Sequence, residues 1–171
     1  MGLDLSMTGT GLVVIQGTKV ATWRLLETEP VGQAKSVGLL PSGKYRGETD
    51  ARIEWTVSTI RKAWNHFLPD LTVIEEYAFG AKGRGLSSLH EQGGVVRNFL
   101  FRKEAPYITE QNSRIKEFAT GKGGASKDEM IAAATDLWRG CPQGKGADNV
   151  ADAFHLAMYG MTNYKALVQS A

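Results

Sequence analysis

An aspartate stands at position 4, flanked by Leu3 and Leu5 in a stretch that reads as a short apolar strand. Glu75 closes a second apolar run that begins at Leu71. Asp148 and Asp152 lie four residues apart where a last helix begins, a spacing that puts both on one helical face. Carboxylates in such places are costly unless they are paired or bind a metal, and several converging would repel one another. Each has a plainer role when taken singly: Asp4 turns the chain before Ser6-Met7-Thr8-Gly9, and Asp148 is an N-cap. Together, at the ends of successive elements, the four point to a divalent cation. Mg²⁺ takes oxygen ligands and keeps several waters, so it suits one or two carboxylates plus a phosphate. Two such ions ~4 Å apart can activate water and stabilise the leaving oxygen in phosphodiester cleavage.

The elements that carry these acids follow from hydrophobic periodicity. Gly2 to Ser6, Gly11 to Gln16 and Lys19 to Leu26 read as three strands joined by glycine turns, hence antiparallel neighbours. Residues 27–48, rich in Gly and Pro, read as a loop. Ile53, Val57, Ile60, Trp64 and Phe67 recur at steps of three and four and predict a helix over Thr49 to Phe67. A fourth strand runs from Leu71 to Glu75, a glycine-rich basic loop spans 80–85, and a helix runs from about Ser88 to Lys103. Pro106 to Thr109 is a fifth strand. Ser126-Lys-Asp-Glu129 is a capping box ahead of a helix that reaches Trp138, and the last helix starts near Asp148. The strand–helix–strand rhythm of the later segments favours parallel pairing. The expected fold is α/β in one domain over 1–171: a five-stranded mixed sheet with helices on both faces.

Composition narrows the function classes. The net charge of +2, from 20 Lys+Arg against 18 Asp+Glu, does not by itself announce a nucleic-acid binder. The clustering says more: Lys82 and Arg84 share one loop, and Lys116, Lys122 and Lys127 share another stretch, as local phosphate-binding patches do. The lone Cys141 cannot build a disulfide framework or a cysteine zinc site. His66, His90 and His155 do not cluster; His155 reads as packing and the other two as surface residues. No apolar run approaches the ~20 residues that cross a bilayer, and no signal sequence opens the chain. The expectation is a soluble cytoplasmic protein, in the host cytoplasm if phage-encoded, with no membrane partner.

At this point a resemblance enters. Gly-Leu-Asp4-Leu-Ser-Met-Thr-Gly-Thr-Gly resembles the opening strand and hairpin of the RuvC-type Holliday-junction resolvases. Val73-Ile-Glu75-Glu-Tyr-Ala-Phe79 is similar to their second acidic motif. Gly121-Lys-Gly-Gly-Ala-Ser-Lys127 is similar to their glycine-rich loop and lysine, and Asp148-Asn-Val-Ala-Asp152 to their closing acidic helix. The shorter resolvases of bacteriophages look nearest. The resemblance implies an RNase H-like fold, a homodimer, and Mg²⁺- or Mn²⁺-dependent cleavage of four-way DNA junctions, with two ions per site. It carries the metal-ligand role onto Asp4, Glu75 and Asp152. It gives Lys127 and Lys116 contacts near the scissile phosphate, and makes Tyr77 or Phe79 a wedge at the opened junction, with ordinary packing as the plainer role for Phe79. DNA contacts are expected from Lys82, Arg84, Lys116, Lys122, Lys127, Tyr77 and Phe79.

One position departs from the pattern. The resolvases place a further ligand three residues before the last, which here is Asn149, while the acid stands one earlier at Asp148. Asp148 reaches the metal by a small rotation, Asn149 serves as a neutral ligand, or the substitution inactivates; the expectation taken here is that Asp148 participates. Glu75 and Glu76 point to opposite faces of a strand, and the motif favours Glu75. The helix over 88–103 carries Leu89, Val95, Val96, Phe99, Leu100 and Phe101, enough apolar surface for a core face and a partner subunit. Three rivals remain: an RNase H-like nuclease acting on RNA–DNA hybrids or flaps, a junction-binding protein without cleavage, and an actin-like or sugar-kinase phosphate binder, for which the second phosphate hairpin is missing.

Overall fold

The protein is described here from a computed structural model covering residues 1–32, 37–76 and 86–169. Three strands open it: β1 (Gly2–Asp4), β2 (Gly9–Gln16) and β3 (Lys19–Pro30), paired antiparallel in succession. Two short strands, β4 (Gly38–Leu39) and β5 (Tyr45–Gly47), precede α1 (Thr49–Phe67). Then come β6 (Thr72–Glu76), α2 (Leu86–Arg102), β7 (Tyr107–Gln111), α3 (Asn112–Thr120), α4 (Lys127–Leu137) and α5 (Ala147–Gln169). The sheet order is β4-β5-β3-β2-β1-β6-β7, with β1, β6 and β7 parallel to one another.

The α/β class, the mixed sheet and the five expected strands are present, but the count of five is corrected to seven among the described residues. The span 27–48 is not wholly loop. β3 runs on to Pro30, and β5 pairs with its end in parallel while β4 pairs with β5. These edge strands are two and three residues long, too short for any alternation to show in sequence. Helix α3 is also additional to the expected elements.

Side-chain alternation sends the two faces of the sheet to different helices. Leu3, Leu12, Val14 and Ile74 pack with Ile53, Val57 and Ile60 of α1 and Val96, Phe99 and Leu100 of α2. Val13 packs with Val150, Ala153, Phe154 and Ala157 of α5 and Ala134 of α4. Val73 joins Leu156 of α5, Ile115 of α3 and Met130 of α4. Helices therefore cover both faces, as expected.

Helix α5 lies unusually close to the sheet because two glycines make room for it. A Cβ on Gly11 would stand 1.9 Å from the Asn149 carbonyl oxygen, and one on Gly2 would stand 2.0 Å from that of Ala153. Gly11 is the sheet partner of Asp4. The first turns of α5 thus descend beside the one acidic side chain of β1.

Candidate metal centre

Along β1, Gly2 faces α5 and Leu3 faces the opposite core, so Asp4 faces α5 again. Along β6, Val73 faces α5 and Ile74 does not, so Glu75 faces α5 while Glu76 is exposed. The third carboxylate, Asp152, comes from the second turn of α5. Carboxylate oxygens of Asp4, Glu75 and Asp152 all lie within 4.8 Å of one another. Three elements distant in sequence therefore deliver three acids to one point at the end of the parallel strands. The choice of Glu75 over Glu76 follows from the pleat.

The electrostatics are those of a cation site. Burial, then the charges of Glu75, Asp152 and Asp148, hold the Asp4 carboxyl well above its ordinary range, with Lys127 opposing. Burial and the charges of Glu75 and Asp148 push Asp152 up to about 7. Burial raises Glu75, against a hydrogen bond from Asn112 and the charge of Lys116. Oδ1 of Asp152 is buried without a hydrogen-bond partner. A carboxylate with a buried, unpartnered oxygen beside two further acids fits a hard divalent ion, which takes oxygen ligands and offsets their repulsion.

Asp148 is placed differently. It lies near enough to raise Asp4 and Asp152, but its carboxylate is paired with the Lys127 ammonium and stands outside the group of three. Burial pushes Asp148 up, and the hydrogen bond and charge of Lys127 more than reverse this, leaving it below the usual range. The same pair raises Lys127. Lys127 is held in place by the capping box that starts α4: Ser126 N–H donates to Glu129 at 2.8 Å and Glu129 N–H donates to Ser126 Oγ at 3.3 Å. Asn149 lies against the sheet, its side-chain nitrogen 2.9 Å from the place a Cβ would occupy at Gly9.

Of the expected basic contacts, Lys116 on α3 is half-buried beside Glu75 and Asp152, whose carboxyls its charge lowers. Lys122 is exposed and paired with Glu129 at 3.0 Å. Tyr77, Phe79, Lys82 and Arg84 lie outside the described residues. His155 is buried, with Nε2 3.0 Å from the Met130 carbonyl oxygen, and His66 and His90 are exposed. Cys141 is buried in the core beneath α5.

Two residues that sequence reasoning passed over serve the site. Asn112, the first residue of α3, donates from Nδ2 to Glu75 Oε1 at 2.9 Å and fixes that carboxylate. Arg52 on α1 is buried, and its guanidinium reaches across to the β1–β2 turn. It donates from Nε to Thr28 Oγ1 at 2.9 Å and from Nη2 to the Met7 carbonyl, which Thr28 Oγ1 also approaches as a donor. Thr10 Oγ1 donates to the Ser6 carbonyl at 2.9 Å and accepts from Gln92 Nε2 at 3.1 Å. The turn that follows Asp4 is thus clamped from α1, α2 and β3. Arg52 is a positioning residue. Arg52→Met is expected to weaken Mn²⁺ affinity by about tenfold, the loss typical when support behind a metal ligand is removed. Calorimetric titration well below the melting temperature checks this; unchanged affinity with lowered thermal stability would make Arg52 structural only.

No protein-family model matches the chain. The crossover junction endodeoxyribonuclease RuvC of Synechococcus sp. (strain WH7803) is 28% identical over 120 residues, covering 70% of this chain and 74% of its own. In structure, the RuvC of Thermus thermophilus superposes with a TM-score of 0.70 at 17% identity, covering 96% of this chain and 94% of that one. The same protein in complex with Holliday junction substrate gives 0.70 at 19% identity, covering 96% and 93%. The yeast mitochondrial Holliday junction resolvase Ydc2 gives 0.59 at 12% identity, covering 99% of this chain and 79% of that one. At these identities the structural likeness speaks for the fold. The sequence match and the shared architecture agree: this chain resembles the RuvC-type Holliday-junction resolvases in sequence over most of its length and in fold over nearly all of it.

Proposed function

We propose that the protein is a structure-specific endonuclease that resolves four-way DNA junctions by divalent-metal-dependent phosphodiester hydrolysis. The observation that carries this reading is the meeting of Asp4, Glu75 and Asp152 within 4.8 Å, inside a fold like that of RuvC. The similar Synechococcus protein is named for crossover-junction cleavage, and the T. thermophilus neighbour is seen with a Holliday junction.

The roles divide by position. Asp4, Glu75 and Asp152 would hold the metal, taken here as two Mg²⁺ or Mn²⁺ ions per site. When bound, those ions would activate water for attack and neutralise charge on the phosphate. Asn112 keeps Glu75 oriented. Lys127 at the start of α4 and Lys116 on α3 stand on the flanks, where ammonium groups stabilise negative charge developing on a phosphate. Asp148 keeps Lys127 near the acids and belongs to the wider site. Contacts of this kind read backbone and junction shape more than bases, so affinity falls steeply with salt.

A homodimer, with two sites cutting two strands, completes the reading. Much of the apolar surface on α2 is taken up by the core, but Phe101 stays 74% exposed. Sedimentation at micromolar concentration should give a species twice the 18.6 kDa chain; a monomer alone would remove the dimer. Among the described residues no helix is long and apolar enough to cross a membrane, and a cytoplasmic location is part of the proposal.

The test is a gel assay with a labelled four-way junction, a flap, a duplex and an RNA–DNA hybrid, each with Mg²⁺, Mn²⁺ or EDTA. Symmetric nicking of the junction alone, abolished by EDTA, is expected. Preference for hybrid or flap would overturn the substrate, and tight junction binding without cutting under either metal would overturn the activity and point to Asn149.

A further inference from the structure

Beside the acidic group lies a cleft of about 500 Å³ lined by Lys44, Lys127, Lys145, Ser6, Thr8 and Asp148, with Glu27 in its wall. Its position is set by the site. Ser6 is two residues beyond Asp4, and Asp148 is one helical turn before Asp152, about 6 Å along the axis. That rise sets the cleft next to the acidic group along α5. The three lysines come from separate parts of the chain: the β4–β5 turn, the start of α4, and the loop ahead of α5.

We propose that Lys44 and Lys145 form a second phosphate-binding site, taking a neighbouring backbone phosphate of the strand presented to Asp4, Glu75 and Asp152. The inference rests on the nuclease reading and adds to it the path of the strand. Both ammonium groups share one carboxylate oxygen: Glu27 Oε1 is 3.5 Å from Lys44 Nζ and 3.9 Å from Lys145 Nζ. These separations are longer than a hydrogen bond, and each ammonium carries three donors. The Lys145 side chain is 83% exposed. An ion pair as open as that of Lys145 contributes little, so Lys145 turns from Glu27 to a phosphate at small cost, while the Lys44 side chain, 26% exposed, already lies at the wall of the cleft. Glu27 acts as a tether that keeps two like charges together at the wall of the cleft. Three ammonium groups face two carboxylates across this cleft, whereas the adjoining site presents three carboxylates. The first arrangement favours an anion and the second a cation, as the backbone of a strand and its divalent ion require.

The test measures binding of a labelled four-way junction by fluorescence anisotropy over a salt series, with Ca²⁺ in place of Mg²⁺, for the parent, a Lys44→Ala/Lys145→Ala double variant and Glu27→Gln. The double variant is expected to bind about tenfold more weakly, and its log–log salt slope to fall by nearly two, one for each lost phosphate contact. Glu27→Gln, which releases both lysines, is expected to tighten binding several-fold. Parent-like affinity and slope in the double variant would overturn the proposal while leaving the nuclease reading intact. Weaker binding by Glu27→Gln would also overturn it, since Glu27 would then be holding the loop together rather than competing with DNA. A parent protein that binds no junction at all would overturn the nuclease reading and this inference with it.

Discussion

Asp152→Asn is expected to silence junction cleavage and, in the metal-free protein at pH 8, to raise the melting temperature. The two effects have opposite sign because the side chain serves the cation and not the fold. Asp152 contributes one of three carboxylates held within 4.8 Å, and its Oδ1 is buried without a partner. An asparagine keeps the shape and removes the charge. A neutral amide binds a hard divalent ion poorly, and the loss of cleavage should be on the order of 10³-fold or more, since groups that act as a unit fail together. Without metal, the substitution removes a buried charge from beside Glu75 and Asp4 and supplies an amide that can donate to them. Relief of roughly 1–3 kcal/mol corresponds to several degrees in a domain of this size, at about 2–4 °C per kcal/mol. Single-turnover cleavage with Mg²⁺ and a melting curve in EDTA check the two halves. A variant that cleaves like the parent would remove Asp152 from the site; one that melts lower in EDTA would show that its carboxylate supports the fold.

The same tension explains which parts of the site were legible in sequence. Asp4 and Glu75 were conspicuous because each interrupts or ends an apolar run, where a charge has no packing reason to be. The face each occupies followed from strand alternation, which the structure keeps at Gly2, Leu3, Val73 and Ile74. The bounds of α1 emerged from five apolar positions at helical spacing, and it runs from Thr49 to Phe67 as expected. Asp152 and Asp148 were a pair in sequence, yet only one joins Asp4 and Glu75. A spacing of four fixes a shared helix face but not what stands opposite each turn, and the capping box of α4 puts Lys127 opposite Asp148.

What sequence did not display are contacts made by polar residues in short elements. In α3 the apolar positions are Ile115, Phe118 and Ala119, a stripe of little more than one turn among polar neighbours, with Ile115 alone buried, too short for periodicity to announce a helix. With the helix unseen, Asn112 had no reason to stand out, although it holds Glu75. Arg52 lay within a helix that was correctly bounded, but a polar residue on a helix reads as surface. Its burial arises from the turn across the sheet, whose carbonyl at Met7 needs a donor. The strand pair β4–β5 belongs to the same class: its existence depends on β3 running on to Pro30, and it places Lys44 beside Glu27.

The raised carboxyls make metal binding a pH-dependent event whose sign is fixed. Asp152 titrates near 7 in the folded protein against an ordinary 3.8, so between those values the native state keeps a proton that the unfolded chain has released. Stability of the metal-free protein therefore falls as pH rises through this window and is lowest once Asp152 is ionised, with Asp4 and Glu75 acting in the same direction. His155 acts oppositely: burial lowers it from 6.5, so its contribution is present above 6.5 and is lost as pH falls through its folded value. Above pH 6.5 the acids are opposed by the buried Met1 α-amino group, which burial lowers from 8.0 to about 5 and whose contribution grows as pH rises toward 8. The acids' effect is therefore read against Asp152→Asn, whose melting-temperature advantage over the parent in EDTA should widen from pH 6.5 to pH 8. A divalent ion must displace the proton on Asp152. At pH 6 about a tenth of that group is ionised and at pH 8 about nine tenths, so Mn²⁺ affinity should rise at least about tenfold across the interval, with protons released on binding. The stabilisation conferred by the ion grows in step, because a ligand specific to the native state stabilises in proportion to the logarithm of its saturation ratio. Calorimetric titration at pH 6 and pH 8, in buffers of different ionisation enthalpy, measures both affinity and proton release. Equal affinity at the two pH values with no proton released would mean that the three acids are already ionised without metal, and that the repulsion inferred from their burial and proximity is not present.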